Sequence, residues 1–215
     1  KYSVFYLVSA SILDVMGESS SSYEKVLALG NADGSLDYSE DEVNRIKEIN
    51  PQTQVYVKGE ATEGVVRETQ DKDVLHLATH GHIDLTDPRK SYITLAPSGS
   101  YDGDLTLEEI YGLEWGYHLI FLSACNTGVG KEMGGDEVDS LGNAFIAGGA
   151  KTVISTLWAV DDKATSVLSE GFYRHVKAGE GKAKALQSAQ LEVMKMEGYQ
   201  APFYWAAFSL TGDWK

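Results

Sequence analysis

His80 and Cys125 each sit one step beyond an apolar run rich in strand-forming residues, about 45 positions apart. A thiol and an imidazole at one edge of a sheet make a nucleophile and a base. A free cysteine ionises near pH 8.5, so a neighbouring imidazole raises its thiolate fraction near neutrality. Gly81, next to the histidine, lets a backbone N–H face a substrate carbonyl without side-chain obstruction. The alternative is a buried cysteine beside a hydrogen-bonded structural histidine, since cysteine favours cores. At this level both readings stay open.

Other residue groupings point to weaker chemistry. Gly128, Gly130 and Gly134 fall one position off the dinucleotide fingerprint, and Lys131 and Glu132 crowd that turn. The stretch from Gly128 to Asp136 therefore reads as a mobile loop after the nucleophile, with Asp136 capping the next helix. Leu29 to Glu40 imitates a calcium loop through Asn31, Asp33, Gly34 and Glu40, but Leu29 stands where the first carboxylate is needed. His76, His80 and His82 with Cys125 resemble a zinc set, yet four residues of strand span roughly 13 Å, too far for His76 and His80 to share an ion. No metal and no cofactor is expected.

Stepping outward, several short apolar runs alternate with amphipathic segments, the pattern of a parallel sheet covered by helices. Strands are expected at Tyr2–Ser9, Val26–Gly30, Gln54–Val57, Val74–Thr79, His118–Ala124, Thr152–Leu157 and Ala206–Leu210. Ser39 with Glu42 has the spacing of a capping box, followed by Val43, Ile46 and Ile49 before Pro51 ends the helix. Further helices are expected over Ala61–Thr69, Thr106–Tyr111, Glu137–Ala147, Ala164–Lys177 and Ala183–Met196. In such a sheet, ligands bind beyond the carboxyl ends of the strands. The loops at 79–82, 123–128 and 158–162 then hold the candidate site.

The chain's 215 residues fit one compact domain. Lys+Arg 18 against Asp+Glu 32 gives a net charge of −14, which repels a phosphate backbone, so no direct nucleic-acid partner is expected. No stretch approaches the apolar length needed to cross a bilayer. One cysteine cannot form an internal disulfide, and no signal peptide opens the chain, which fits the cytoplasm.

Taken in order, DVLHLATHG at 73–81, LSACNTG at 122–128, GGDE at 134–137, AGGA at 147–150, LWAVDD at 157–162 and WAAF at 205–208 resemble the CHAT domain of the caspase-like cysteine peptidases. The resemblance covers nearly all of residues 1–215 as a single peptidase domain, without the leading segment the family usually carries. It implies a caspase-like three-layer α/β/α sandwich with a mostly parallel sheet, a His80 and Cys125 dyad, and an oxyanion hole from the N–H groups of Gly81 and Cys125. It also implies a protein substrate and a regulatory helical-repeat region or partner.

The same resemblance brings Trp158, Asp161 and Asp162 near the substrate, where a carboxylate would pair with Arg or Lys at the cleavage site. The competing reading makes Asp162 a helix N-cap. A different class of function, a catalytically silent interaction domain that keeps the fold, is the alternative to a peptidase.

Overall fold

The computed structural model describes residues 2–7, 23–69, 71–84, 86–123 and 140–215. Its centre is a six-stranded sheet built from β1 (Val26–Gly30), β2 (Gln54–Val57), β3 (Val74–Ala78), β7 (Leu119–Leu122), β8 (Thr152–Thr156) and β9 (Phe208–Gly212). The spatial order is β2-β1-β3-β7-β8-β9, parallel throughout except that β9 closes one side antiparallel to β8. Strands β1, β3, β7 and β8 are buried along their whole length. That burial on both faces explains why they read as unbroken apolar runs rather than alternating ones.

The two faces carry separate cores. Val26, Ala28, Val74 and Phe121 point to one side, where they meet helices α1 (Ser39–Ile49), α5 (Asp162–Lys177) and α6 (Lys182–Lys195) through Val43, Ile46, Leu168, Phe172 and Leu186. Leu27, Leu29, Leu75, Leu77, Ile120 and Val153 point to the other side. There they meet α2 (Glu63–Glu68), α3 (Leu107–Tyr111) and α4 (Ser140–Ala147), with Val66, Ile110, Phe145 and Trp115 in the seam. Alternate residues of each strand thus feed opposite layers, giving the three-layer α/β/α arrangement.

Three features depart from expectation. The first is Tyr2–Ser9, whose described part forms no strand: Tyr6 makes a single parallel bridge to Thr211, and Tyr2, Val4 and Tyr6 are exposed. The apolar run is used instead for side-chain docking, Phe5 stacking on Trp214 at 4.4 Å. The second is the Ser39–Glu42 capping box, which does not form. Tyr38 is the N-cap without a side-chain bond, Ser39 donates to the Leu36 carbonyl at 3.3 Å, and the Glu42 carboxylate is drawn inward to His76. The third is a separate antiparallel sheet of β4 (Gly81–His82), β5 (Tyr92–Thr94) and β6 (Asp104–Thr106), whose strands of two or three residues are too short to register as periodic patterns.

Candidate active site

His80 stands two residues past the end of β3, and β5 fixes it there. The Thr79 hydroxyl donates to the Thr94 carbonyl at 2.6 Å, and the Thr94 N–H donates to the His80 carbonyl at 2.8 Å. In an antiparallel ladder hydrogen-bonded pairs alternate with non-bonded ones. The His80–Thr94 bond and the Gly81–Ile93 register therefore make Gly81 and Ile93 a non-bonded pair. The Gly81 N–H is turned away from β5. His82, the next residue, is exposed and stacks on Tyr92 at 4.9 Å.

Among the described residues, the loop after β1 supplies side-chain contacts to His80. Because β1 pairs in parallel with β3, with Gly30 opposite Ala78, the loops that follow the two strands emerge side by side. Asn31 turns this loop with φ 51° and donates its N–H to the Ala78 carbonyl at 2.9 Å. Its side chain accepts from the Leu36 N–H at 2.9 Å and donates to Glu40 at 2.7 Å. Inside the loop so closed, Ser35 Oγ lies 2.7 Å from His80 Nε2 and 2.7 Å from Asp33 Oδ1. Asp33 Oδ2 is 3.8 Å from the same imidazole nitrogen.

Desolvation pushes the Asp33 carboxyl upward, but the Ser35 hydroxyl and N–H, together with the charge of His80, outweigh it and hold the group below its ordinary value. The other imidazole nitrogen, Nδ1, is buried and has no hydrogen-bond partner among the described residues. Asn31, Asp33 and Glu40, the residues that imitate a calcium loop, thus have other partners here. Neither Asp33 nor Ser35 was singled out in sequence as a partner of His80.

The loop after β8 supplies Trp158, Asp161 and Asp162. Asp161, not Asp162, is the N-cap of α5: its Oδ1 accepts from the Ala164 N–H at 2.9 Å. The cap lies one residue earlier than expected because the helix starts at Asp162 itself. Asp162 instead reaches across to the start of α1 and accepts the Tyr38 N–H at 2.8 Å. Burial raises its carboxyl above the ordinary value; the Tyr38 N–H opposes this, while Glu42, Asp161 and Asp37 add to it. Trp158 is half-buried against the α1/α5/α6 core and donates its indole N–H to the Phe203 carbonyl at 3.0 Å.

Beneath this rim lies a buried polar group. His76 Nε2 is 2.9 Å from Glu42 Oε1, and its Nδ1 is 3.2 Å from the Tyr173 hydroxyl. Burial, with Glu42 adding to it, keeps that hydroxyl protonated. His76 is thus engaged away from His80 and His82, and among the described residues no group of three or more His, Cys, Asp or Glu could hold a metal ion. Cys125, the expected nucleophile and second oxyanion donor, lies outside the described residues, as does the stretch from Gly128 to Asp136.

Comparison with known proteins adds the family. The CHAT domain model matches residues 1–213. Tetratricopeptide repeat protein 28 of Mus musculus is 29% identical over 109 residues, and that of Homo sapiens 30% over the same length, in each case 51% of this chain. The chain spans about 4% of the length of these curated relatives. Among solved structures, the Saccharomyces cerevisiae separase–securin complex matches with a TM-score of 0.65 at 15% identity, covering 98% of this chain and 14% of that one. The Arg-specific cysteine proteinase gingipain R matches with a TM-score of 0.53 at 12% identity, covering 88% and 45%. At these identities the likeness is one of fold: a caspase-like α/β/α sheet with helices on both faces.

Proposed function

The chain belongs to the CHAT domain family, and on that premise we propose that it is a cysteine endopeptidase with Cys125 as nucleophile and His80 as its base. The observation that carries this reading is the state of His80. Its ring stands at the carboxyl end of β3, one nitrogen engaged by Ser35 and the other buried without a partner among the described residues. A buried imidazole nitrogen left unbonded is costly for a purely structural histidine. It suits a base that waits for a thiol proton.

The reaction is acyl transfer. Cys125 Sγ attacks the peptide carbonyl, the proton passes through His80 to the leaving amine, and the N–H groups of Gly81 and Cys125 hold the developing oxyanion. Water then releases the acyl group. The orientation of the Gly81 N–H, away from β5, agrees with that role.

Cleavage after Arg or Lys is the specificity we propose, with Trp158, Asp161 and Asp162 lining the substrate side. A half-buried carboxyl at Asp162, with Glu42, Asp161 and Asp37 around it, gains from a cation. The gingipain match is described as Arg-specific. A regulatory helical-repeat region or partner protein is proposed as well: the curated relatives are named for tetratricopeptide repeats, and the separase structure holds securin. We place the protein in the cytoplasm, acting on a protein substrate without direct nucleic-acid or membrane binding. Among the described residues no helix is long and apolar enough to cross a membrane.

Labelling with a peptidyl electrophile that carries Arg tests the reading. An adduct on Cys125 that is lost in His80→Ala is the expected result. Equal labelling of the wild type and His80→Ala, with no peptide hydrolysis by either, would overturn it in favour of a catalytically silent interaction domain.

A further inference from the structure

We infer that Ser35, backed by Asp33, is the positioning residue that fixes the tautomer of His80 and leaves Nδ1 as the basic nitrogen. The inference rests on the reading of His80 as the base for Cys125, and it adds a residue set that the dyad alone does not contain.

The argument is one of proton counting. Ser35 Oγ has a single hydrogen and two close neighbours, Asp33 Oδ1 and His80 Nε2, each at 2.7 Å. An ionised carboxylate only accepts, so the hydroxyl proton goes to Asp33. Ser35 Oγ must then accept, and the hydrogen it accepts is the one on Nε2. Neutral His80 is therefore the Nε2–H tautomer, with its lone pair on Nδ1.

The opposite arrangement would turn an oxygen lone pair of Ser35 toward a carboxylate oxygen at 2.7 Å, unless Asp33 were protonated. The hydrogen bonds that hold the Asp33 carboxyl below its ordinary value work against that protonation.

Burial tells the same story from the other side. Nδ1 is buried and has no hydrogen-bond partner among the described residues. An N–H there would find no acceptor among the described residues. When Nδ1 takes the thiol proton, the S–H bond breaks, an N–H bond forms, and thiolate and imidazolium result. Asp33 Oδ2, 3.8 Å from Nε2, is close enough to stabilise the new positive charge. The Ser35 N–H also donates to Asp33 Oδ1, at 3.1 Å, so the carboxylate is held in place before the ring is charged. A base oriented by a third group through its far nitrogen is the logic that hydrolytic triads use. Here a hydroxyl stands between the base and the acid.

Two readouts on the full chain test this. Nitrogen-15 NMR of the imidazole rings reports tautomers directly, and loss of one set of signals in His80→Ala identifies His80 among the five histidines. The second readout is the rate of alkylation of the single cysteine by iodoacetamide at pH 7. The wild type is expected to show the Nε2–H tautomer. Ser35→Ala should mix the tautomers and slow alkylation by roughly ten- to a hundredfold, the scale of a misplaced catalytic group. Asp33→Asn should fall between the two, and Ser35→Thr, which keeps the hydroxyl, should restore the rate to within about threefold of wild type.

A wild-type Nδ1–H tautomer overturns the inference. So does a folded Ser35→Ala with unchanged tautomer and rate. If Ser35→Ala does not fold, the wild-type spectrum decides alone. Equal alkylation of wild type and His80→Ala, with the Nε2–H tautomer present, instead defeats the base role of His80 and leaves the Ser35 contact standing.

Discussion

The Tyr38 N–H donates to Asp162 Oδ2 at 2.8 Å, joining the start of α1 to the start of α5 across 124 positions of sequence. Tyr38 ends the same short connection that carries Ser35 to His80. One loop, between β1 and α1, therefore touches both the candidate base and one member of the candidate specificity pair. The two groups belong to different strand ends, yet their positions are tied through backbone and hydroxyl contacts of a single segment.

Asp162 should trade stability against specificity. Its folded carboxyl is raised above the ordinary 3.8, chiefly by burial, so unfolding eases its ionisation and the ionised group lowers stability as pH rises through that window. Asp162→Asn is expected to raise the urea midpoint at pH 7, with the gain fading below about pH 4 as both folded and unfolded aspartate protonate. The same variant should slow cleavage after Arg or Lys by roughly ten- to a hundredfold. A neutral effect on cleavage of a basic-residue peptide library would remove Asp162 from the specificity pocket.

Asp161 behaves differently because it caps α5. Asp161→Ala should cost about 0.5–2 kcal/mol in chemical denaturation, whereas Asp161→Asn, which caps nearly as well, should change stability little. If Asp161→Asn still cuts more slowly at basic sites, the residue serves the substrate as well as the helix.

The His76, Glu42 and Tyr173 group predicts a graded loss of stability. Glu42→Leu leaves His76 Nε2 without its 2.9 Å partner inside the core and should cost about 1–3 kcal/mol. Tyr173→Phe removes a 3.2 Å contact and should cost about 0.5–1.5 kcal/mol. Urea unfolding of the pair, compared with the wild type, checks the order.

The glycine pair after α4 is explained by Trp115. A Cβ on Gly148 would come within 2.4 Å of Trp115 Cδ1 and 2.8 Å of the Leu113 carbonyl, while Gly149 has φ 108°. Trp115 is fully buried and anchored by its indole N–H to the Ile110 carbonyl at 2.9 Å. Gly148→Ala should lower stability by about 1–3 kcal/mol through overpacking, seen as a reduced melting temperature. An unchanged melting temperature would mean that the indole shifts freely.

The central strands were legible because burial on both faces leaves a chemical trace in every residue: Val26–Gly30 carries its expected bounds, and β3, β7 and β8 differ only by a residue or two at their ends; the partly exposed edge strand Gln54–Val57 also keeps its expected bounds. His80 was legible for the same reason, standing one step past such a run. Ser35 and Asp33 were not, because their partner is 45 and 47 positions away and Asp33 sits in a spacing that imitates a failed calcium loop. The box at Ser39 and Glu42 failed for a related reason. Local spacing satisfied the pattern, but a buried imidazole 34 residues downstream competed for the carboxylate and won. The N-cap of α5 falls at Asp161 rather than Asp162, since helix ends are the least certain feature of any apolar period.

The antiparallel pairing of β8 with β9 has a consequence for how the chain is made. Four strands of the sheet, β1, β3, β7 and β8, and the short β2 are complete once Thr156 has been synthesised, but the partner for the far side of β8 begins only at Phe208, about 50 residues later. At roughly 5–20 residues per second, the ribosome takes about 3–10 s to deliver it. Throughout that interval the row of N–H and C=O groups from Thr152 to Thr156 stands open on a nascent chain, able to recruit any passing strand. The residues from Phe208 to Gly212 are therefore the ones that close this edge of the sheet.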